Sequence, residues 1–223
     1  MAETAPDTTR WESLEQWSPI AFLVAGVLLV VFAALLGYEA FTDMPAPEDL
    51  FGPPGFFLAM VGLLGLYPGF ADRAPRLARV SAVGTGIAAV GWLLITVYAL
   101  IEVVGSLPAL EEMGVFGFTI ILASGAAMIL AYIGTGVASL QTGNHSRYLG
   151  LLMLTPPAVF GVMLSQAVLF AQFGLFSETF MAWSAVGLAG GQALAHIGIG
   201  YFLRTEAIST KRTERAPVEV RHD

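Results

Sequence analysis

A histidine and a tyrosine occupy matched positions in two apolar segments, and their side chains are suited to proton transfer or ligand binding. The segment 194–200 reads Leu-Ala-His-Ile-Gly-Ile-Gly, and the segment 130–136 reads Leu-Ala-Tyr-Ile-Gly-Thr-Gly. Five of these seven positions are identical, and His196 aligns with Tyr132. Histidine changes its charge near neutral pH, and ionisable groups inside a membrane are commonly functional. His196 is therefore the first candidate site residue.

Gln192 lies one helical turn before His196, on the same helix face. Two interpretations stay open. His196 is either a neutral imidazole hydrogen-bonded to Gln192 or to a neighbouring hydroxyl, or a ligand-binding or proton-handling group in a cavity. In the second case Tyr132 and Tyr67, which lies in a fainter third copy of the segment, occupy the same depth as His196. A transmembrane haem needs two axial ligands, and the apolar runs contain one histidine, so we expect no cofactor. With no cysteine and no acid at mid-membrane, we also expect no metal site.

Two short motifs resemble those of the rhomboid intramembrane proteases, whose core has six spans. That family has a Gly-x-Ser-Gly motif on span four and an Ala-His motif on span six; this chain has Ala123-Ser124-Gly125 and Ala195-His196. The partial resemblance implies a serine hydrolase with Ser124 as nucleophile and His196 as its base. Helix geometry, however, predicts an offset of roughly 10 Å between these residues along the membrane normal, and hydrogen-bond reach is about 3 Å. The hydrolase is therefore the alternative, and a non-enzymatic protein is the main expectation.

These residues need membrane helices to position them. Hydrophobic residues make up 56% of the chain and charged residues 12%, against about 25% charged in soluble domains. About 20 apolar residues span a bilayer as a helix, and no run alternates with the period of a barrel strand. Short connections make consecutive helices antiparallel. The sequence therefore predicts an all-α, polytopic bundle of six transmembrane helices: Ile20–Tyr38, Pro54–Ala71, Val80–Val104, Val115–Leu140, Tyr148–Phe173 and Phe180–Leu203.

The fifth run contains Pro156 and Pro157 in its first half. Each proline lacks a backbone donor, so two in succession predict a kink. Broken helices line binding sites in many transporters, although a kink that only curves the bundle is commoner.

The distribution of basic residues distinguishes the two ends of the bundle. The loops after the second and fourth runs and both terminal segments carry every Lys and Arg, whereas the other three loops and their flanks carry acids alone. Basic residues favour the cytoplasmic side, so we expect a multi-pass cell-membrane protein with both termini in the cytoplasm. The bases are Arg10, Arg73, Arg76, Arg79, Arg147, Arg204, Lys211, Arg212, Arg215 and Arg221; the acids are Glu39, Asp43, Glu48, Asp49, Glu102, Glu111, Glu112 and Glu178.

The chain divides into three parts. We expect residues 1–17 to form a cytoplasmic, interfacial segment, residues 18–204 the transmembrane domain, and residues 205–223 a disordered cytoplasmic tail. The offset between the copies equals two spans, so the repeats are direct and predict three hairpins around an axis along the membrane normal. Chance similarity between glycine-rich helices is the alternative explanation.

No complete catalytic constellation accompanies the six runs, so we expect a small transporter or channel-like unit, or a membrane scaffold subunit. Its partners would be the lipid bilayer and a second copy or larger membrane complex, with no nucleic acid. The chain resembles small six-span membrane proteins of haloarchaea, and its acid-rich, lysine-poor composition resembles that of haloarchaeal proteins in general. This resemblance implies that the net charge of −7 is an adaptation to high salt, and recruitment of cations is the alternative explanation.

Overall fold

The computed structural model describes residues 8–105, 115–143 and 145–214. Within these ranges the regular structure is helical, with no strand, which confirms the all-α prediction. A short 3-10 helix, Glu48–Leu50, precedes the second helix. The α-helices are α1 (Thr8–Thr42), α2 (Gly52–Ala71), α3 (Pro75–Val103), α4 (Val115–Thr142), α5 (Arg147–Met153), α6 (Thr155–Phe173) and α7 (Glu178–Glu214).

Six helical stretches in the described ranges are long and apolar enough to cross a membrane. They correspond to the six predicted runs, with α5 and α6 together forming the fifth. The prediction of a six-helix membrane bundle is therefore confirmed. The stretches are Leu14–Thr42, Glu48–Ala71, Pro75–Val103, Val115–Thr142, Arg147–Phe170 and Glu178–Ala207.

The helices form a closed ring in chain order. Each packs against its neighbours in sequence, and α7 completes the ring by packing along α1. Small residues line these seams: a Cβ on Gly65 would lie 2.7 Å from the Leu14 carbonyl oxygen, and one on Gly200 would lie 2.8 Å from that of Pro19. Lipid exerts no hydrophobic force between helices, so such close backbone packing stabilises the bundle.

The matched glycines of the two repeats make equivalent contacts. Gly134 in α4 and Gly198 in α7 each face the preceding helix of their own hairpin, α3 and α5 respectively. Gly136 faces the start of the next hairpin, and Gly200 faces α1, which follows α7 around the ring. This is the arrangement expected of direct repeats related by rotation about an axis along the bundle.

The first helix differs in length from the prediction. It runs without a break from Thr8 through Pro19 to Thr42, so residues 8–17 continue into the first span, and their interfacial position stays a prediction. Proline removes one helical hydrogen bond, and neighbouring helices make this tolerable in membrane helices. Beside it, the Ser18 hydroxyl donates to the Gly62 carbonyl oxygen at 2.6 Å, which ties α1 to α2. Residues 1–7 lie outside the described ranges.

The C-terminal part also differs. The predicted disordered tail began at residue 205, but α7 continues to Glu214. The segment 204–214 contains no Gly or Pro, and its Ala, Glu, Lys and Arg residues favour helix. Residues 215–223 of the predicted tail, and Glu111 and Glu112 between the third and fourth spans, lie outside the described ranges.

The fifth span is broken at Leu154, so the predicted kink is present as a restart of the helix. Pro156 and Pro157 lie in the first turn of α6, where backbone N–H groups have no intrahelical partner, so proline loses no helical hydrogen bond there.

The ends of the bundle carry opposite charges. We call the end formed by the α1–α2 connection, the end of α3 and the start of α7 the acidic face, with Glu39, Asp43, Asp49, Glu102 and Glu178. The opposite end, the basic face, carries Arg73, Arg76, Arg79, Arg147 and Arg204.

Candidate functional site

The repeat-related residues His196 and Tyr132 meet at the centre of the bundle. Both side chains are fully buried. Tyr132 Oη lies 2.7 Å from His196 Nε2, and His196 Nδ1 lies 2.6 Å from the Gln192 carbonyl oxygen, one turn earlier in α7. The structure therefore brings together three of the predicted site residues.

These two bonds assign the hydrogen on the neutral histidine ring. A backbone carbonyl oxygen can only accept, so Nδ1 carries the hydrogen and donates it to Gln192. Nε2 of the neutral ring is then an acceptor, and the Tyr132 hydroxyl donates to it. Both ring nitrogens of His196 thus have partners.

Aromatic rings from three other helices surround His196. The ring centroids of Phe22 in α1 and Phe56 in α2 lie 6.2 and 6.5 Å from that of the histidine, and the Tyr132 ring meets it edge-on at 5.7 Å. The three rings thus pack around the buried imidazole. We call His196, Tyr132, Phe22 and Phe56 the central layer.

Gln192 connects the central layer to the broken span. Its side-chain Nε2 donates to the Pro156 carbonyl oxygen at 2.8 Å, and this contact fixes the orientation of the amide because a carbonyl can only accept. The broken helix thus supplies a bonding partner to a predicted site residue.

A cavity of about 330 Å³ lies on the acidic side of the central layer. Every long span contributes to its wall, as does the 3-10 helix, so it occupies the axis of the ring. Its residues are mostly apolar, with Phe56 and Gln192 at the inner end: the wall includes Phe32, Leu36, Trp92, Ile95, Tyr98, Ala99, Ile121, Val159, Phe160, Met163, Ala185, Leu188 and Ala189. This volume lies at the small end of the range for pockets that hold small molecules.

Two buried polar atoms on the cavity wall have no hydrogen-bond partner among the described residues. They are Nε1 of Trp92 and Oε1 of Gln192, on side chains that are 5% and 3% exposed. A buried polar group without a partner costs about 1–3 kcal/mol. Both side chains line the cavity, although the two unpaired atoms are themselves buried, so a side chain would have to rotate for its polar atom to meet an occupant.

The other end of the cavity carries acids. Asp49, on the 3-10 helix, is exposed, and Glu102, in the last turn of α3, is partly buried. The Trp92 ring packs on Phe56 with a centroid distance of 4.7 Å and an angle of 34° between the ring planes. Trp92 lies about 15 Å deeper in the bundle than Glu102 along the axis of α3. The cavity thus joins an acidic end to a polar inner end through an apolar wall.

Tyr67 lies elsewhere, on the basic side of the central layer. It lines a cavity of about 10 Å³, together with Ser81, Thr85 and Thr135. The Ser81 and Thr135 hydroxyls lie 2.6 Å apart, and Ser81 donates to the Ala131 carbonyl oxygen at 2.9 Å. A cavity of this size holds about one water molecule. We call it the lower cavity.

The structure does not pair Ser124 with His196. The Ser124 hydroxyl donates to the Ile120 carbonyl oxygen at 2.7 Å in its own helix, and it packs so closely on Gly91 of α3 that a Cβ there would collide with it. Since both ring nitrogens of His196 have other partners, the histidine does not act as a base for this serine in the observed geometry.

The sequence did not predict a role for Trp92 or Phe56, nor the hydrogen bond between Gln192 and the Pro156 carbonyl oxygen. Trp92 is the single tryptophan in the middle of a predicted span, whereas Trp11, Trp17 and Trp183 lie near span ends. That position was a usable signal, because buried indole N–H groups usually require a partner.

Comparisons with protein-family models, curated proteins and solved structures found no significant match to this chain. Among the described residues, no group of three or more His, Asp or Glu side chains could hold a metal ion. The geometry of the cavity and of the central layer is therefore the basis for assigning a function.

Proposed function

We propose that this chain is a small transporter-like membrane protein whose central cavity takes a ligand from the acidic face. The observation that carries this proposal is the cavity itself. It lies on the axis of the six spans, and its lining includes Trp92 and Gln192, whose buried Nε1 and Oε1 atoms have no partner among the described residues. A scaffold subunit has no need of such a cavity, and filling it would remove the cost of two unpaired polar groups.

The lower cavity supports transport rather than binding alone. It lies on the basic side of the central layer, where Ser81, Thr85 and Thr135 place hydroxyl groups in its lining, and Thr135 lies one turn beyond Tyr132 in α4. The central layer lies between the two cavities, and the Ser81–Thr135 contact forms part of the wall of the lower one. A transporter holds its site between two barriers and opens them in turn, and the broken fifth span is a second feature shared with transporters.

We also propose that the acidic face is the outer one and that the protein lies in the cell membrane with both termini in the cytoplasm. Support comes from the basic residues, which all belong to the basic face or to the terminal segments. Cytoplasmic loops are enriched in Lys and Arg because basic segments translocate poorly.

Cysteine labelling tests the proposal, because the natural chain has no cysteine. Ala189→Cys places a thiol on the cavity wall, and Ala138→Cys places one on the lower cavity. In sealed vesicles of each orientation, a membrane-impermeant thiol reagent should label Ala189→Cys from the acidic face. It should label Ala138→Cys more slowly, and from the basic face.

Leu194→Cys is the matched control, because Leu194 lies on α7 near Ala189 but is 71% exposed on the outside of the bundle. Lipid should protect it from the reagent on both sides. If Ala189→Cys resists labelling from both faces, the cavity is closed and the proposal is wrong. If Ala189→Cys reacts but Ala138→Cys never does, the protein binds a ligand without transporting it.

A further inference from the structure

The two ends of the central cavity differ chemically, and the difference indicates what the cavity holds. Asp49 and Glu102 lie at the acidic end, and the described lining contains no Lys, Arg or His. At the inner end are the side chains of Trp92 and Gln192, whose Nε1 and Oε1 atoms are buried and unpaired among the described residues. The wall between these ends is largely apolar. The lining thus matches a ligand that has three chemically different parts.

The acidic end favours a positive charge. Opposite charges attract more strongly where water is partly excluded, and Glu102 is partly buried beside Tyr98 and Ala99. Salt screens a partly buried pair less than an exposed one. An anionic ligand would instead meet two like charges. The part of the ligand nearest the acidic face should therefore be cationic.

The middle of the cavity favours an apolar and preferably aromatic body. Five aromatic side chains contribute to its wall: Phe32, Phe56, Trp92, Tyr98 and Phe160. Aromatic rings pack well on other rings and also attract cations through their faces. A ligand body of this kind would bury apolar surface without leaving polar groups unpaired.

The inner end favours a neutral group that both donates and accepts. Indole Nε1 can only donate, and the amide oxygen of Gln192 can only accept. A hydroxyl or a primary amide serves both kinds of atom. A protonated amine has no acceptor for the Trp92 N–H, so the cation belongs at the acidic end and not here.

We propose that the cavity binds an elongated amphipathic amine, with its protonated nitrogen at Glu102 and Asp49 and a hydroxyl or amide at Trp92 and Gln192. Ten residues separate Trp92 and Glu102 in α3, a rise of about 15 Å before side-chain reach is subtracted. The ligand is therefore longer than a single ring. This inference rests on the proposed function, because it requires a cavity that is accessible from the acidic face.

Protection of the Ala189→Cys thiol tests the ligand class. The full chain in lipid nanodiscs is labelled with an uncharged, water-soluble maleimide, so that the reagent has no charge preference of its own. Four probes compete: aminobutylphenol, phenylbutylamine without the hydroxyl, butylphenol without the amine, and hydroxyphenylpentanoate with a carboxylate instead. Aminobutylphenol should protect at the lowest concentration. Removing the hydroxyl or the amine should raise the half-protecting concentration roughly fivefold, and the carboxylate should not protect.

Two substitutions assign each end of the probe. Trp92→Phe removes the indole donor but keeps an aromatic ring. In this variant the half-protecting concentrations of aminobutylphenol and phenylbutylamine should become similar, whereas butylphenol should still need a higher concentration. In Glu102→Gln, aminobutylphenol and butylphenol should become similar, whereas phenylbutylamine should still need a higher concentration. Trp183→Phe and Glu178→Gln are the matched controls, since neither residue lines the cavity, and both should leave all four probes unchanged.

The outcomes separate the ligand class from the proposed function. Suppose that the thiol reacts, but either the carboxylate probe protects it as well as the amine probe does or no probe protects it. The proposed ligand class is then wrong, while the cavity is still accessible as proposed. Equal protection in wild type, Trp92→Phe and Glu102→Gln would likewise overturn it. If the thiol does not react at all, the proposed function fails, and this inference fails with it.

Discussion

Replacing Tyr132 with phenylalanine removes the hydrogen bond that joins the two repeats and changes little else. Phenylalanine keeps the ring, which meets His196 edge-on at a centroid distance of 5.7 Å. The lost contact is the 2.7 Å bond from the Tyr132 hydroxyl to Nε2 of His196. His196 is fully buried, so the substitution leaves a buried acceptor without its protein partner.

The expected magnitude follows from this burial. Leaving a buried acceptor unpaired costs about 1–3 kcal/mol in soluble proteins. Hydrogen bonds between membrane helices average about 0.6 kcal/mol, because separated helices find other partners. Tyr132 and His196 are both fully buried, which favours the upper part of the membrane range. We therefore predict that Tyr132→Phe lowers the free energy of unfolding by about 1–2 kcal/mol.

Reversible unfolding by denaturing detergent in mixed micelles, followed by circular dichroism, measures this change. Tyr201→Phe is the control, because Tyr201 lies in the same α7 helix as His196 and is exposed on the outside of the bundle. The control should unfold as wild type does. A loss in Tyr132→Phe no larger than in Tyr201→Phe would show that the central bond does not stabilise the bundle.

The assigned tautomer gives an independent readout. Nitrogen NMR of protein with labelled histidine, with the signals assigned by comparison with His196→Gln, should show the Nδ1–H form of the His196 ring. An Nε2–H ring would contradict the donation to Gln192, and with it the reasoning about the central layer.

Three further predictions concern packing, chemistry and orientation. Gly200→Ala should destabilise the protein by about 1–3 kcal/mol, because the added Cβ would lie 2.8 Å from the Pro19 carbonyl oxygen. Gly187→Ala is the control: its Cβ would meet open space, so the change should be neutral or stabilising by up to about 1 kcal/mol. Unfolding in denaturing detergent measures both changes. A fluorophosphonate probe should not label Ser124, because that hydroxyl donates within its own helix; labelling that disappears in Ser124→Ala would instead favour the hydrolase. A reporter fused after Asp223 should be active only in the cytoplasm, and activity outside the cell would reverse the proposed orientation.

Much of the fold was predictable because it depends on local properties of the chain. Length and apolarity of a segment decide whether it can cross a bilayer as a helix, so all six spans could be predicted from sequence. Boundaries were less predictable where no apolar contrast marks them. Beyond Leu203 the chain becomes polar, but its residues still favour helix, so α7 continues to Glu214.

The candidate site was only partly predictable. Alignment of the repeats singled out His196 and Tyr132. Residues that are related by rotation about a central axis can meet at that axis, and the side chains of these two residues are in contact there. The alignment also suggested that Tyr67 lies at the same depth, whereas Tyr67 lines the lower cavity. The third copy is weak, and a similar sequence does not ensure the same depth when a helix packs differently.

The sequence by itself determined the number of membrane spans, their apolarity, the charge of the two faces and the alignment of the two repeats. These follow from composition and spacing, which act through the bilayer and do not depend on which helix contacts which. The tertiary structure alone decided that Trp92 and Gln192 share one cavity wall with Glu102, and that their polar atoms have no partner among the described residues. A cavity is the space that packing leaves unfilled, and the shapes of seven packed helices together determine where that space lies.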